Sequence, residues 1–324
     1  MRPPSERRSL LIRVVRNCPW NKCAFCPAYK NEKFSIRDPR EVIAEIELLA
    51  KLPENQNAAA VFLQDGDALS MPVDKLVPII AAARTNFPNA GRITAYSRSS
   101  TLAVRKTGEL RRLREAGLSR VHVGMESGSD DVLKFIRKGV TAAQQLNGCL
   151  NAKAAGLELC CYLMPGIGGK KYSAKHALES GRLLAQIDPA HIRLRSAFVL
   201  EGTPLADEYL KGNFQPLTEL ETVLEIQALL KELKNNHSEI VSDHRINLLL
   251  ELNGRLPEDH QKLQGIINQF LALNEADKEL FIAGRRLGLI RVLKELSETG
   301  TRAQIEKEKH RYKVVIPAPI DLLY

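Results

Sequence analysis

From Ser9 to about Phe198, a short apolar run followed by a stretch with helical spacing recurs six times. The apolar runs predict strands over Leu10–Val15, Ala59–Leu63, Arg92–Ser97, Arg120–Met125, Leu157–Met164 and His191–Phe198. Between them the spacing predicts helices over Pro39–Leu52, Val73–Phe87, Gly108–Ala116, Ser129–Arg137 with Ala142–Ala155, and Tyr172–Ile187. In the first helix Val42, Ile43, Ile46, Leu49 and Ala50 fall on one face, with Asp38 as cap and Pro39 in the first turn. Strands alternating with helices over short links specify an α/β fold with a parallel sheet. Six units fall short of a closed eight-fold barrel, so an open or partial barrel and a flat doubly wound sheet both satisfy the pattern.

The pattern changes after Thr203-Pro204-Leu205. From about Leu217 to Lys309 the chain reads as successive amphipathic helices, among them Thr218–Leu233, Asp259–Leu273 and Lys278–Leu296. A last strand-like piece spans Tyr312–Ile316. The expected organisation is a catalytic core over 1–205 and a helical C-terminal extension over 206–324.

Composition narrows the class. The chain has 324 residues, 44% of them apolar and 26% charged, as in an ordinary globular enzyme. No run approaches the ~18 apolar residues of a membrane helix, so no membrane partner is expected. Of a net charge of +9, seven charges sit in residues 1–40, where ten Lys/Arg face three Asp/Glu. The remainder is nearly neutral, which excludes a uniformly basic nucleic-acid coat.

Six cysteines are too few for a disulfide scaffold. The apolar stretch after Arg7-Arg8 is interrupted by Arg13 and Arg16, so a buried strand explains it better than an export signal. A reducing, cytoplasmic compartment is expected.

Three of the six cysteines, Cys18, Cys23 and Cys26, crowd into nine positions straight after the first strand. That places them at the carboxyl end of a parallel sheet, where such folds carry their sites. Structural zinc wants four protein ligands, and no second C-x2-C or nearby histidine completes a set. An iron–sulfur cluster with three thiolates and one open iron suits this donor set better. Ordinary buried cysteines, or a zinc or iron–sulfur site serving structure or electron storage without catalysis, are the alternative readings.

The run Cys18-Pro-Trp-Asn-Lys-Cys23-Ala-Phe25-Cys26, with an aromatic just before the third cysteine, resembles the cluster motif of the radical S-adenosylmethionine (SAM) enzymes. The likeness covers roughly residues 9–205 and implies a six-fold (βα) partial TIM barrel. One residue more than the usual C-x3-C-x2-C separates the first two cysteines. The resemblance extends to the core of oxygen-independent coproporphyrinogen oxidases and tRNA methylthiotransferases. Tyr96 and Tyr162, however, stand where porphyrin-related members carry acidic residues.

The resemblance implies a 4Fe–4S cluster on Cys18, Cys23 and Cys26, with SAM on the fourth iron. One electron would cleave SAM to a 5′-deoxyadenosyl radical that takes a hydrogen atom from substrate. It further implies that Asp65, Gly66 and Asp67 meet the SAM amino group and that Glu126 and Ser127 meet the ribose. Arg137 and Lys138 would meet the carboxylate, and the backbone of Gly166 and Ile167 would lie along the adenine.

Strand alternation places His122 on the same face as Glu126. It also turns Arg193 and Arg195 inward if Ile192, Leu194 and Ser196 pack against the outer helices. These arginines suggest a small anionic substrate, with ion pairs to Asp65, Asp67 or Glu126 as the competing use of their charge. A tRNA substrate is the alternative, since several similar enzymes modify tRNA. Arg13, Arg16, Lys22 and Lys30 bracket the cysteine loop and suggest docking of an acidic electron donor of the flavodoxin or ferredoxin type.

Overall fold

The computed structural model describes residues 2–30 and 32–319. Two compact units divide the chain: residues up to Met125 with Arg137–Tyr162, and Glu126–Ile136 with the chain from Leu163 onward. In chain order the elements begin β1 (Leu10–Arg13), β2 (Val15–Arg16), β3 (Ser35–Ile36), α1 (Pro39–Ala50), β4 (Val61–Gln64) and α2 (Val73–Asn86). They continue with β5 (Ile93–Arg98), α3 (Ser99–Val104), α4 (Thr107–Ala116), β6 (Leu118–Glu126), α5 (Asp130–Phe135), α6 (Ala142–Ala154) and β7 (Glu158–Leu163). After them come α7 (Gly169–Ile187), β8 (His191–Leu194), α8 (Pro204–Leu210), α9 (Glu219–Glu232) and β9 (Glu239–Val241). The last are β10 (Gly254–Arg255), α10 (His260–Leu271), α11 (Glu275–Leu287) and α12 (Thr299–Glu308).

All six predicted strands and the helices between them are present, with α3 as an unforeseen turn of helix after β5. The first unit holds strands in the order β1-β4-β5-β6-β7. Its pairs β1/β4, β4/β5 and β5/β6 are parallel. Every residue of β4 is buried, as a parallel strand covered on both faces requires. Register sets Phe62 beside Thr94 and Tyr96 beside His122, so one face carries an aromatic layer. The other face turns Ile93, Ala95, Val121 and Val123 toward the helices, and all four are buried. Helix α1 begins where Asp38 accepts a hydrogen bond from Arg40 N–H at 2.8 Å, the cap its sequence specifies.

The first strand is shorter than expected. At Val14 the chain gives its N–H to Gln64 O at 2.7 Å. It then leaves β4, and β2 pairs antiparallel with β3, Val15 opposite Ile36 and Arg16 opposite Ser35. This two-residue ladder closes the cysteine-bearing loop at its base.

The C-terminal third is not purely helical, which corrects the expected extension. Strand β9 runs parallel to β8, with His191 opposite Glu239 and Arg193 opposite Val241, and β10 adds an antiparallel pair. Three residues are too few to show a period. The expected helix Lys278–Leu296 instead starts at Glu275 and ends at Leu287, where Gly288 takes φ +74°. The Tyr312–Ile316 run is not a strand: Val314 and Val315 are exposed, and pairing is confined to a parallel bridge between Leu200 and Ala318.

Strand β8 stops at Leu194, short of the expected Phe198, because a side chain takes over the ladder. Asn247, itself buried, accepts from Ser196 N–H and donates to Leu194 O, each at 2.9 Å. Replacing Asn247 with Ala strands two buried backbone groups and should cost about 2–4 kcal/mol in denaturant unfolding. Unchanged stability would show that β8 does not rely on this bridge.

Candidate functional site

The loop between β2 and β3 carries Cys18, Cys23 and Cys26, none of them in a disulfide and each half-buried. No regular structure holds them, so their positions depend on side chains that reach the loop from below. Asp65, just after β4 and almost fully buried, does most of this. Its carboxylate accepts from Asn17 N–H at 3.4 Å and from the Tyr29 hydroxyl at 3.3 Å, and it pairs with Arg13 Nε at 3.3 Å. Burial, then the Asp65 charge, pushes the Tyr29 phenol up, with Tyr96 and Cys18 adding to the effect. Next to Asp65, Gly66 lies so close to the loop that an added Cβ would stand 3.2 Å from both Cys18 Cβ and Tyr29. The absence of a side chain there lets the two loops touch.

A second anchor comes from the Arg137-Lys138-Gly139 turn. Trp20 donates Nε1–H to Arg137 O at 2.8 Å, and its ring covers Gly139, where a Cβ would fall 2.3 Å from the ring. Arg98 lies over the same ring at 5.0 Å and donates to Lys138 O at 2.8 Å. Arg137 takes φ +54°, a left-handed conformation held by these contacts. Lys138 is buried, and with Lys30 it acts electrostatically on Cys26. Burial pushes the Cys26 thiol up, and a backbone hydrogen bond from Ala28 and the two lysines work against that. Lys30 also folds back onto the loop, donating to Asn21 O at 3.1 Å and Cys23 O at 3.3 Å.

The predicted residues therefore divide by use. Gly66, Lys138 and the Arg137 backbone come together at the cysteine loop. Phe25 sits in the loop's central turn, half-exposed. Asp67 is fully buried and accepts from the Thr101 and Ser97 hydroxyls at 2.5 and 3.3 Å and from Arg98 N–H at 3.3 Å. Burial, opposed by those bonds, lifts its carboxyl to about 6. His122 is fully buried in the aromatic layer, its Nε2 3.1 Å from Glu6 and its Nδ1 3.4 Å from the Tyr162 hydroxyl. Burial would raise Glu6, yet hydrogen bonds from His122 and Ser9 and the nearby positive charges hold it at about 2.

In the second unit Glu126 ends β6 with φ +64°, and its carbonyl accepts from Met164 N–H at 3.0 Å. Ser127 and Ile167 are buried, and Gly166 takes φ +83°. Arg193 is buried and bonded to Asp243, so the competing use of its charge holds, though the acid is none of the three expected. Arg195 stays half-buried and, after burial itself, helps depress His244 to about 4. Sequence reasoning passed over Trp20, Tyr29, Arg98 and Glu6. The only available signal was weak: Trp20, the chain's single tryptophan, lies between two of the clustered cysteines.

The donor chemistry fits an iron–sulfur cluster: three cysteines outside any disulfide, on a glycine-backed loop with Lys30 and Lys138 near Cys26 to offset thiolate charge. Among the described residues no three His, Cys, Asp or Glu side chains are gathered as a mononuclear metal site. Among them, too, no helix is long and apolar enough to cross a membrane.

Residues 12–181, more than half of the chain, match the family model of the Radical SAM superfamily. The chain is 22% identical over 247 residues to the tRNA uridine(34) acetyltransferase of Methanocaldococcus jannaschii, covering 64% of this chain and 45% of that protein. It is 27% identical over 149 residues to the biotin synthase of Maridesulfovibrio salexigens, covering 46% of this chain and 42% of that one. It thus spans less than half the length of either relative. Coproporphyrinogen III oxidase from Escherichia coli, 14% identical, is similar in fold, with a TM-score of 0.53 over 69% of this chain and 52% of the other.

Replacing Asp65 with Ala removes the acceptor of Asn17 and Tyr29 and the partner of Arg13. The reconstituted variant should lose iron to a chelator about tenfold faster than the parent chain, as supporting residues of metal sites do. Iron retention equal to the parent's would show that Asp65 does not hold the loop.

Proposed function

Because the chain belongs to the radical SAM superfamily, and is thus an enzyme that works with a 4Fe–4S cluster and SAM, we propose that Cys18, Cys23 and Cys26 hold the cluster and that the substrate reacts against the inner face of a six-fold (βα) partial barrel. The observation that carries this reading is the contact of Gly66 with Cys18 above a buried Asp65. It ties the thiols to the carboxyl end of β4. That proposal keeps the catalytic core over residues 1–205 and the extension over residues 206–324. The match over residues 12–181 supports placing the core in the N-terminal part of the chain.

Held by Cys18, Cys23 and Cys26, a 4Fe–4S cluster would supply the electron for reductive cleavage of SAM. The chain's own residues bind, orient and exclude water. Gly66 offers close backbone approach to the SAM amino group. The carboxylates of Asp65 and Asp67 are engaged within the protein, so they shape this turn from beneath. Glu126 and Ser127, at the end of β6, serve the ribose. Lys138 serves the SAM carboxylate, with Arg137 fixed beside it, and Gly166 and Ile167 flank the adenine. His122, wedged between Glu6 and Tyr162, closes the floor of the inner face to water. Arg16 is exposed and Lys22 stands 5.2 Å over the Trp20 ring, so both are available to an acidic electron donor.

For the substrate, Arg195 supports a small anion, while Arg193, already neutralised by Asp243, lends no charge to it. A second reading has its own support. Arg13, Arg16 and Arg37, with Leu11, Glu45 and Gln64, line a cavity of about 320 Å³, and the M. jannaschii relative is named for a tRNA. Arg13 pairs with Asp65 and Arg37 with Glu45, so Arg16 and the relative's name carry the tRNA reading.

Anaerobically reconstituted protein with SAM and a reductant should release 5′-deoxyadenosine, and Cys18→Ala, Cys23→Ala or Cys26→Ala should each abolish it. Absence of the product from protein with an intact cluster contradicts the reading. Extract divided by size then separates the substrate classes: the stimulating fraction passes a small-molecule membrane, or it is retained and lost on ribonuclease treatment.

A further inference from the structure

Helix α9 presents an acidic residue on its apolar face. Glu225 is buried there with Val223, Ile226 and Leu229. A carboxylate in such a place costs stability unless its oxygens are used, and both are. Oε1 accepts from Gly166 N–H at 2.6 Å, and Oε2 accepts from the Ser173 hydroxyl at 2.5 Å.

The network continues to the other glycine-bearing loop. His176, on α7, has Nε2 3.7 Å from Glu225 Oε1, and its Nδ1 lies 2.8 Å from the Ser127 hydroxyl. Ser127 Oγ also accepts from Ser129 N–H at 3.0 Å, which ties the same hydroxyl to the start of α5. Beside it, Ser180 Oγ accepts from Gly128 N–H at 2.7 Å. A Cβ on Gly128 would stand 2.6 Å from Ser180 Cα, so α7 and this loop are in direct backbone contact. Ser127, His176, Ser180 and Glu225 are all buried.

We propose that Glu225 is a positioning residue for SAM: by its hydrogen bond from the Gly166 amide on one side and by packing against His176, which bonds Ser127, on the other, it holds the two loops at residues 126–128 and 166–169 in one arrangement. This rests on the reading above that those loops contact the ribose and the adenine. Glu225 lies beyond residues 12–181, so the part of the chain outside the family match completes the site. Burial sets the two groups apart, pushing the Glu225 carboxyl up to about 7 and His176 down to about 4. The pair therefore carries at most the single charge of Glu225 near neutrality.

The test is SAM binding by equilibrium dialysis to cluster-loaded protein without reductant, where no cleavage intervenes. Glu225→Ala should weaken SAM binding about tenfold, with iron content unchanged, and in turnover the rise in KM for SAM should exceed any fall in kcat. Glu225→Gln, which keeps one acceptor and the volume, should recover part of the affinity. A folded Glu225→Ala protein that binds SAM like the parent overturns the proposal. Should Glu225→Ala not fold, parental affinity in both Glu225→Gln and Ser173→Ala overturns it equally. Glu126→Ala separates the two levels. If it weakens SAM binding while the Glu225 variants do not, the positioning role fails and the site assignment stands. If neither residue matters, the assignment itself fails.

Discussion

Three soft thiols on a loop without regular structure must be kept apart from one another and in place, and a buried carboxylate under that loop supplies the constraint. Asp65 draws in an N–H from Asn17, a hydroxyl from Tyr29 and the guanidinium of Arg13. Each bond reaches a different point around Cys18. Trp20 fixes the opposite end through the Arg137 carbonyl and the face of Gly139. A loop held only at its β2/β3 base would sample many arrangements, and ordering it on metal binding would draw on the binding energy. Preorganisation removes that cost.

The same logic recurs wherever the chain is expected to meet a cofactor. Glu126 and Arg137 both sit in left-handed conformations that are unfavourable for their residue types. Neither position is maintained locally. Arg137 is pinned by Trp20 from more than a hundred residues away, and Glu126 by its bond to Met164 and the network behind Ser127. In the aromatic layer Phe62, Tyr96 and His122 meet edge to face, Tyr162 tilts against His122, and Glu6 bonds the imidazole. Parallel strands deliver these side chains to one face because their register is fixed by burial of the other.

Much of this was legible in the sequence. Apolar runs such as Val61–Leu63 announced buried strands, and the spacing of Val42, Ile46 and Ala50 announced α1. The crowding of Cys18, Cys23 and Cys26 announced the chemistry. What was hidden shares one cause, pairing between residues distant in the chain. Asp243 neutralises Arg193 from fifty residues away, and Glu6 meets His122 across 116. Nothing local marks either acid. Strand β9 was invisible because three residues show no period, and the break after Leu287 because Gly288 reads as one more helical position until its backbone is seen. The sequence marks the place of Asp65 after β4, while its bonds to Asn17, Tyr29 and Arg13 depend on the folded loop. Glu225 left a trace, an acid on an apolar helical face, that only the Gly166 amide explains.

The central claim is that the anchored loop presents a three-thiolate cluster with one iron open to SAM. Low-temperature electron paramagnetic resonance of the reconstituted, reduced protein, recorded with and without SAM, tests it most directly. The account predicts a reduced 4Fe–4S signal whose g-values shift when SAM is added, because SAM reaches the cluster itself. A spectrum indifferent to SAM, or no 4Fe–4S signal from protein with all three cysteines intact, would contradict it.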